Sequence, residues 1–228
     1  LYLQIGAECS KCYSYYTYQC DSLMASPNGD KLWDSFLAEA VGKGLKGKQL
    51  YNAIPHRRMS ATIYKNYPQG KITVTDFLLG QYYLYEDALN SQEWNIESDS
   101  MKVVLGHECQ KATCSFRGRQ WTAWFALDVP VSDGPWKFCG LPGLIMEVYD
   151  RGKQYYFCIN GMQQVGAKPI TFGVLDKEFK RFQKTTRKEF LQSKYKYLKN
   201  RNSINEASTG ISLGGSDEAL KYDLIEKE

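Results

Sequence analysis

The sequence predicts an α+β fold dominated by strands: a curved antiparallel sheet run as a meander, with one helix in the N-terminal region and one basic helix near the C-terminus. Three observations carry this. Aromatic residues make up 14% of the 228-residue chain, with 17 Tyr, 10 Phe and 5 Trp, and such side chains favour strands over a helical bundle. Between residues 60 and 164 short strand-like segments follow one another at hairpin spacing, which implies antiparallel pairing. Gly118, Asp133-Gly134 and Arg151-Gly152 stand where that series needs turns.

Taken in order, residues 1–5 and 11–18 read as strands, the second from its Tyr and Thr content, with Gly6-Ala-Glu8 as the break. Ser26-Pro27-Asn28 then opens a helix in which Leu32, Phe36, Leu37 and Ala40 recur at helical spacing until Gly42 and Gly44 stop it. Residues 42–59, rich in Gly and Lys, read as an exposed loop with Ile54-Pro55 extended. Strands are expected over 61–67, 71–75, 81–86, 93–97, 102–107, 110–116, 120–129, 144–149 and 154–159. In Trp121-Thr-Ala-Trp-Phe125 alternation puts Trp121, Ala123 and Phe125 on one face and Thr122 and Trp124 on the other, so Trp124 is expected half-exposed. Asp176 can cap a second helix to about Tyr197, with Phe179, Phe182, Phe190 and Tyr197 as a sparse apolar stripe. A single domain over 1–200 is expected, followed by a flexible tail over 201–228 whose Asn, Ser, Thr and Gly content folds poorly.

Charge and composition exclude more than they assign. With 43% hydrophobic and 24% charged residues, a chain of this size buries roughly 70% of its unfolded surface and needs neither metal nor disulfides to fold. The balance of 29 basic and 25 acidic residues calls for no nucleic acid. Residues 177–201 hold ten Lys or Arg against Glu178 and Glu189, and 202–228 hold six acids against Lys221 and Lys227; a solvated helix face and a tail lying back toward it account for both. No run approaches the ~20 apolar residues of a membrane-spanning helix. The start at Leu1 reads as a processed end, as removal of a signal peptide would leave.

No catalytic constellation emerges. Gly210-Ile-Ser212-Leu-Gly214 matches the nucleophile-elbow spacing, yet His56 and His107 both precede it and its flanks are loop-like. Seven cysteines (9, 12, 20, 109, 114, 139 and 158) leave at least one unpaired if the rest form bridges, and buried thiols are the equal alternative. Cys9-Ser-Lys-Cys12 has redox-dithiol spacing without a helix behind it, so a bridge to another cysteine is preferred. Cys9, Cys12 and His56 are weak metal candidates, and Cys20 joins them in a thiol-handling reading. No cofactor motif is present. Arg117 and Arg119, close to Trp121 and Trp124, have the forks to grip an anion, although pairing with acids such as Asp128 is preferred.

The most distinctive stretch is Gly134-Pro-Trp-Lys-Phe-Cys-Gly-Leu-Pro-Gly-Leu-Ile-Met-Glu-Val-Tyr-Asp150. Leu141 before Pro142 is pushed to an extended conformation, Pro142 and Gly143 suit the two central positions of a type II turn, with Gly143 at positive φ, and Gly140 allows close backbone approach. This is a rigid corner feeding a buried strand. Gly140-Leu-Pro-Gly-Leu-Ile145 resembles the signature of the GLPGLI family, the Porphyromonas-type domain of unknown function of Bacteroidetes envelope proteins. Leu105 to Thr113, Phe116 to Arg119, Thr122 to Phe125 and Val129 to Phe138 resemble its blocks in the same order, over about residues 1–164 and most strongly over 100–160. The resemblance implies a periplasmic, secreted or cell-surface setting, a signal peptide removed, no established activity, and by analogy an open half-barrel like that of lipoprotein carriers.

The reading that results is a non-catalytic ligand-binding or accessory module of the periplasm or cell surface. An apolar or peptide-like ligand is expected on an aromatic sheet face formed by Trp121, Trp124, Phe125, Trp136 and Tyr156, with Arg117 and Arg119 at its end. The alternatives are an interaction partner of an outer-membrane uptake or secretion assembly, docking through the basic helix, and metal or thiol handling through the N-terminal cysteines.

Overall fold

A computed structural model describes residues 1–166, 169–172, 182–200, 203–204, 207 and 224–227. The chain divides into two compact units: Leu1–Leu84 with Pro135–Lys137 and Gln164–Phe182, and Tyr85–Gly134 with Phe138–Gln163 and Gln183–Glu228. The strands form two sheets, neither closed into a barrel, in place of the one curved sheet that the sequence predicts. Open twisted sheets seldom accumulate eleven strands without splitting. The meander itself is present in both.

The first unit opens with β1 (Tyr2–Ile5) and β2 (Ser10–Tyr13), followed by α1 (Tyr15–Met24), α2 (Gly29–Gly42) and α3 (Gly47–Ala53). Then come β3 (Thr62–Lys65), β4 (Lys71–Leu78) and the first half of β5 (Gln81–Ala88). Their sheet runs β1-β2-β3-β4-β5-β11, where β11 is Gln183–Lys184. The expected strand over 11–18 stops at Tyr13, because Ser14 caps a helix and its side chain accepts from the Thr17 N–H at 3.3 Å. Thr17 and Cys20, three apart, then turn inward, so a cap and a helical burial pattern override the β-propensity of Tyr and Thr. The loop expected over 42–59 holds α3. In α2 the inward residue is Ala40, while Leu32 and Phe36 of the expected stripe lie exposed. Cys12, Ile63, Tyr64, Ile72 and Val74 fill the core of this unit.

The second unit is built on the sheet β10-β9-β8-β7-β6, formed by β6 (Asn95–Val104), β7 (His107–Phe116), β8 (Arg119–Ala126), β9 (Leu144–Asp150) and β10 (Tyr156–Cys158). All four of its pairings are antiparallel. The two strands expected over 93–97 and 102–107 are one, interrupted by a bulge between Glu97 and Met101. The hairpin turns share one chemistry: Leu79-Gly80, Leu105-Gly106 and Arg117-Gly118 each place both residues at positive φ, as two-residue turns of right-handed twist require. Trp121, Ala123 and Phe125 point inward with Ala112 and Val148, and Phe138 meets Trp121 edge-on at 4.7 Å. The C-terminal helix, α4 (Arg187–Lys199), starts later than expected, at a Thr186–Glu189 capping box. Residues 182–186 are not helical, while Asp176 and Phe179 lie outside the described residues, as does the Gly210–Gly214 elbow motif.

The Gly140–Ile145 corner exchanges the two glycine roles. Gly140 carries the positive φ, +90°, and Gly143 does not. A Cβ on Gly143 would lie 2.0 Å from the Ala126 carbonyl oxygen, so Gly143 provides the close approach instead. The corner is tied down where Leu144 N–H donates to the Val129 carbonyl at 3.0 Å and Ile145 N–H to that of Asp133 at 2.9 Å. Leu141 is 1% exposed.

Candidate functional site

Because side chains alternate along strands, the residues between the inward-facing ones in the second unit share an outer face. Across that face Cys158 lies beside Glu147, Glu147 beside Trp124, Trp124 beside Lys111 and Lys111 beside Glu97. The neighbouring row reads Tyr156, Tyr149, Thr122, Thr113 and Asn95. A register shift between β8 and β9 after Trp124 sets Met146 as the extra residue. The bulge keeps Glu147 outward while Leu144, Ile145 and Met146 are all buried.

The face carries rings and charge together. Tyr149 and Tyr156 stack with centroids 5.9 Å apart and planes 22° from parallel. Trp124 Nε1 donates to the Tyr149 hydroxyl at 3.5 Å. Lys102 makes an ion pair with the Glu147 carboxylate and holds its ammonium 4.8 Å from the centre of the Trp124 ring. Next to it, Lys111 Nζ meets Glu97 Oε2 at 2.9 Å. Tyr156 is 51% exposed, yet desolvation, then the Glu147 carboxylate and Cys158 beside it, push its hydroxyl up to about 12. It is therefore a neutral hydrogen-bonding group at any physiological pH. Rings for stacking, one sunken carboxylate and two ammonium groups can hold a flat or extended ligand in a fixed orientation.

Of the residues expected to touch a ligand, Trp124 and Tyr156 are on this face. Trp121 and Phe125 are on the opposite one, 1% and 0% exposed, as the alternation requires. Trp136 belongs to the first unit, where it is 3% exposed and its N–H donates to Cys12 Sγ at 3.3 Å. These three fill the interior. The two arginines flank the β7–β8 turn and bind protein groups: Arg119 meets Asp150 at 2.8 Å and Arg117 meets Asp87 at 3.0 Å. Asp128, the acid named for them from sequence, instead receives His107 Nδ1 at 2.7 Å.

Lys102, Glu147, Tyr149 and Cys158 are new to the site. Glu147 had a readable signal, a lone carboxylate in the apolar run Leu144-Ile-Met-Glu-Val148, but its neighbours depend on register. Cys9, Cys12 and His56 are not gathered: His56 Nδ1 lies 2.8 Å from the Ile54 carbonyl, and among the described residues no three His, Cys, Asp or Glu could hold a metal ion. Burial raises the thiols of Cys9, Cys20, Cys109 and Cys114, the last up to about 12, the reverse of an activated thiolate. Among the described residues no helix is long and apolar enough to cross a membrane.

Residues 116–147, from the end of β7 through the Gly140–Ile145 corner to Glu147, match a family model described as a protein of unknown function, Porph_ging. No curated protein matches the chain. Two solved structures of PNGF-II are similar to it, one in the P21 space group at 14% identity with TM-score 0.43 and one in the C2 space group at 17% with TM-score 0.41. Each similarity covers 63% of this chain and 26% of the other. The chain thus matches about a quarter of the length of these proteins.

Proposed function

We propose that the outer face of the five-stranded sheet is a non-catalytic binding surface for a peptide-like or apolar ligand. The observation that supports it is the joined run of Trp124, Tyr149 and Tyr156 beside the Lys102–Glu147 pair. An extended peptide suits such a face: rings take its side chains, and the two charges take backbone or terminal groups. The setting we propose, from the sequence resemblance, is the bacterial periplasm or cell surface. The test is native mass spectrometry of the protein from its own source, before and after denaturation, alongside Trp124→Ala and Tyr156→Ala. A released ligand that is lost in the variants, with their thermal stability kept, supports the reading. A bare mass for the wild type opposes it.

A second reading rests on α4, which buries only Phe190 and Leu191 and leaves Lys188, Lys196 and Lys199 exposed. This cationic face would dock on an acidic partner of an outer-membrane assembly, and its binding to envelope fractions should then weaken with salt.

A further inference from the structure

Five tyrosines gather in the first unit. Tyr2 of β1 and Tyr13 of β2 are cross-strand partners, with ring centroids 6.0 Å apart. The Ser14 cap then turns the chain into α1, where Thr17 and Cys20 point inward and Tyr15, Tyr16 and Tyr18 remain exposed. That turn lays Tyr15 against Tyr2, centroids 4.8 Å apart and planes inclined by 56°. Tyr16 meets Tyr15 at 6.0 Å and Tyr18 meets Tyr13 at 5.7 Å. The rings form one unbroken chain in the order Tyr16, Tyr15, Tyr2, Tyr13, Tyr18.

The middle of this chain is set apart from its surroundings by charge. The Arg58 guanidinium stands 4.0 Å from the centre of the Tyr16 ring and Lys11 Nζ 5.3 Å from that of Tyr13. A cation over a ring holds its electrons, so electron loss is harder at Tyr16 and Tyr13, the neighbours on either side of the Tyr15–Tyr2 pair. Tyr13 also keeps its proton more firmly, because burial, then the nearby Tyr18, Tyr2 and Cys12, raise its hydroxyl. Tyr2 and Tyr15 are both exposed, within reach of a dissolved oxidant and of water to take their protons. Gln19 Nε2 donates to the Tyr15 hydroxyl oxygen at 2.6 Å and fixes that ring on the helix. An electron withdrawn anywhere along the chain therefore leaves its vacancy on the exposed pair, which is also the closest pair of the chain.

We propose that Tyr2 and Tyr15 are an oxidative coupling site, where hydrogen peroxide turned over by a haem peroxidase joins the two rings by a carbon–carbon bond. Each phenol gives up one electron and one proton. The two radicals bond through ring carbons ortho to the oxygens, and the hydrogens on those carbons shift to the oxygens, which restores both phenols. One hydrogen peroxide takes up the two electrons and two protons and becomes two waters. The product ties β1 to the first turn of α1 across residues 3–14, and so holds the β1–β2 hairpin and the Ser14 cap together. Such a cross-link stabilises the fold by restricting the unfolded chain.

The test treats the full chain with a haem peroxidase and hydrogen peroxide, reduces it with a thiol so that any disulfide is undone, and digests it with trypsin. Cleavage after Lys11 and Lys31 separates Tyr2 from Tyr15. Coupling therefore appears in the mass spectrum as residues 1–11 joined to 12–31, lighter than their sum by two hydrogens, with fragment ions placing the bond at Tyr15. Tyr2→Phe and Tyr15→Phe, which keep the ring packing, should each abolish the joined species and the blue dityrosine emission. The treated wild-type chain should melt several degrees higher than the untreated one, and treated Tyr2→Phe should not. The proposal is overturned if the folded chain yields no joined species, if the bond falls at Tyr13 or Tyr18, or if covalent dimers are the main product. Equal yield from a synthetic peptide of residues 1–20, which lacks the sheet, overturns it as well, since the fold would then contribute nothing. An unchanged melting temperature in the coupled chain overturns the stabilising role.

Discussion

Replacing Gly143 with alanine should cost far more stability than the same change at Gly140, three residues earlier in the same corner. At Gly143 the added Cβ meets backbone only: the Ala126 oxygen at 2.0 Å, the Ala126 carbonyl carbon at 2.7 Å and Leu127 Cα at 3.3 Å. Relief to an ordinary contact, which begins at 3.4 Å, needs the two segments to part by about 1.4 Å, and neither can yield cheaply. Ala126 is 0% exposed and paired on both sides, to Cys109 and to Leu144. Parting them breaks the Leu144–Val129 and Ile145–Asp133 hydrogen bonds, about 1 kcal/mol each, and loosens buried Leu141 and Leu144, each of which contributes about 1.5–3 kcal/mol by burial. The expected loss is about 4 kcal/mol or more. At Gly140 the nearest atoms are Asn90 Oδ1 at 3.6 Å and Trp94 Cδ1 at 3.8 Å, so a methyl fits, and the cost is that of holding alanine at φ +90°, about 1–2 kcal/mol. Urea unfolding followed by tryptophan fluorescence gives both values. A Gly143→Ala chain as stable as Gly140→Ala, or more so, would refute the exchange of roles between the two glycines.

Other outcomes follow from the same geometry. Of the seven thiols only Cys158 is exposed and Cys9 intermediate, so Ellman's reagent should titrate one quickly, one more slowly and the remaining five only in denaturant. Burial holds the Cys114 thiol up to about 12 against an ordinary 9.0; the folded chain keeps a proton that the unfolded chain gives up. Stability is then intact below pH 9 and falls as pH rises toward 12, by about 1.4 kcal/mol per unit for this one proton. Cys114→Ala should flatten that slope, and an unchanged slope would assign it elsewhere. Arg119→Met leaves Asp150, 4% exposed, without its cation and should cost about 3–5 kcal/mol; Asp150→Asn in the same chain should recover part of the loss in a thermal melt.

Much of the fold was legible in the sequence because antiparallel strands announce themselves locally. Alternation located β7, β8 and β9 within a few residues and placed Trp124 on the outer face against Trp121 and Phe125. The helix read from apolar spacing after Pro27 is present as α2, whereas two other helix starts were not legible. Ser14 ended β2 and started α1, and Thr186 began α4 after the non-helical residues 182–186, because a cap is a hydrogen bond that forms only where the chain has turned to accept it.

What the sequence by itself determined is the class of fold, the meander, and the corner at Gly140–Ile145 with its two glycines. The tertiary structure alone decided which glycine serves which purpose, where the strands of the described residues split into two sheets, and which side chains meet across strands. Lys102 and Glu147 are 45 residues apart, and Arg119 and Leu224 are 105 apart. Contacts at such separations depend on register, on bulges and on which strands become neighbours. Those are settled by the burial of the whole sheet at once, and no local pattern of residues encodes them.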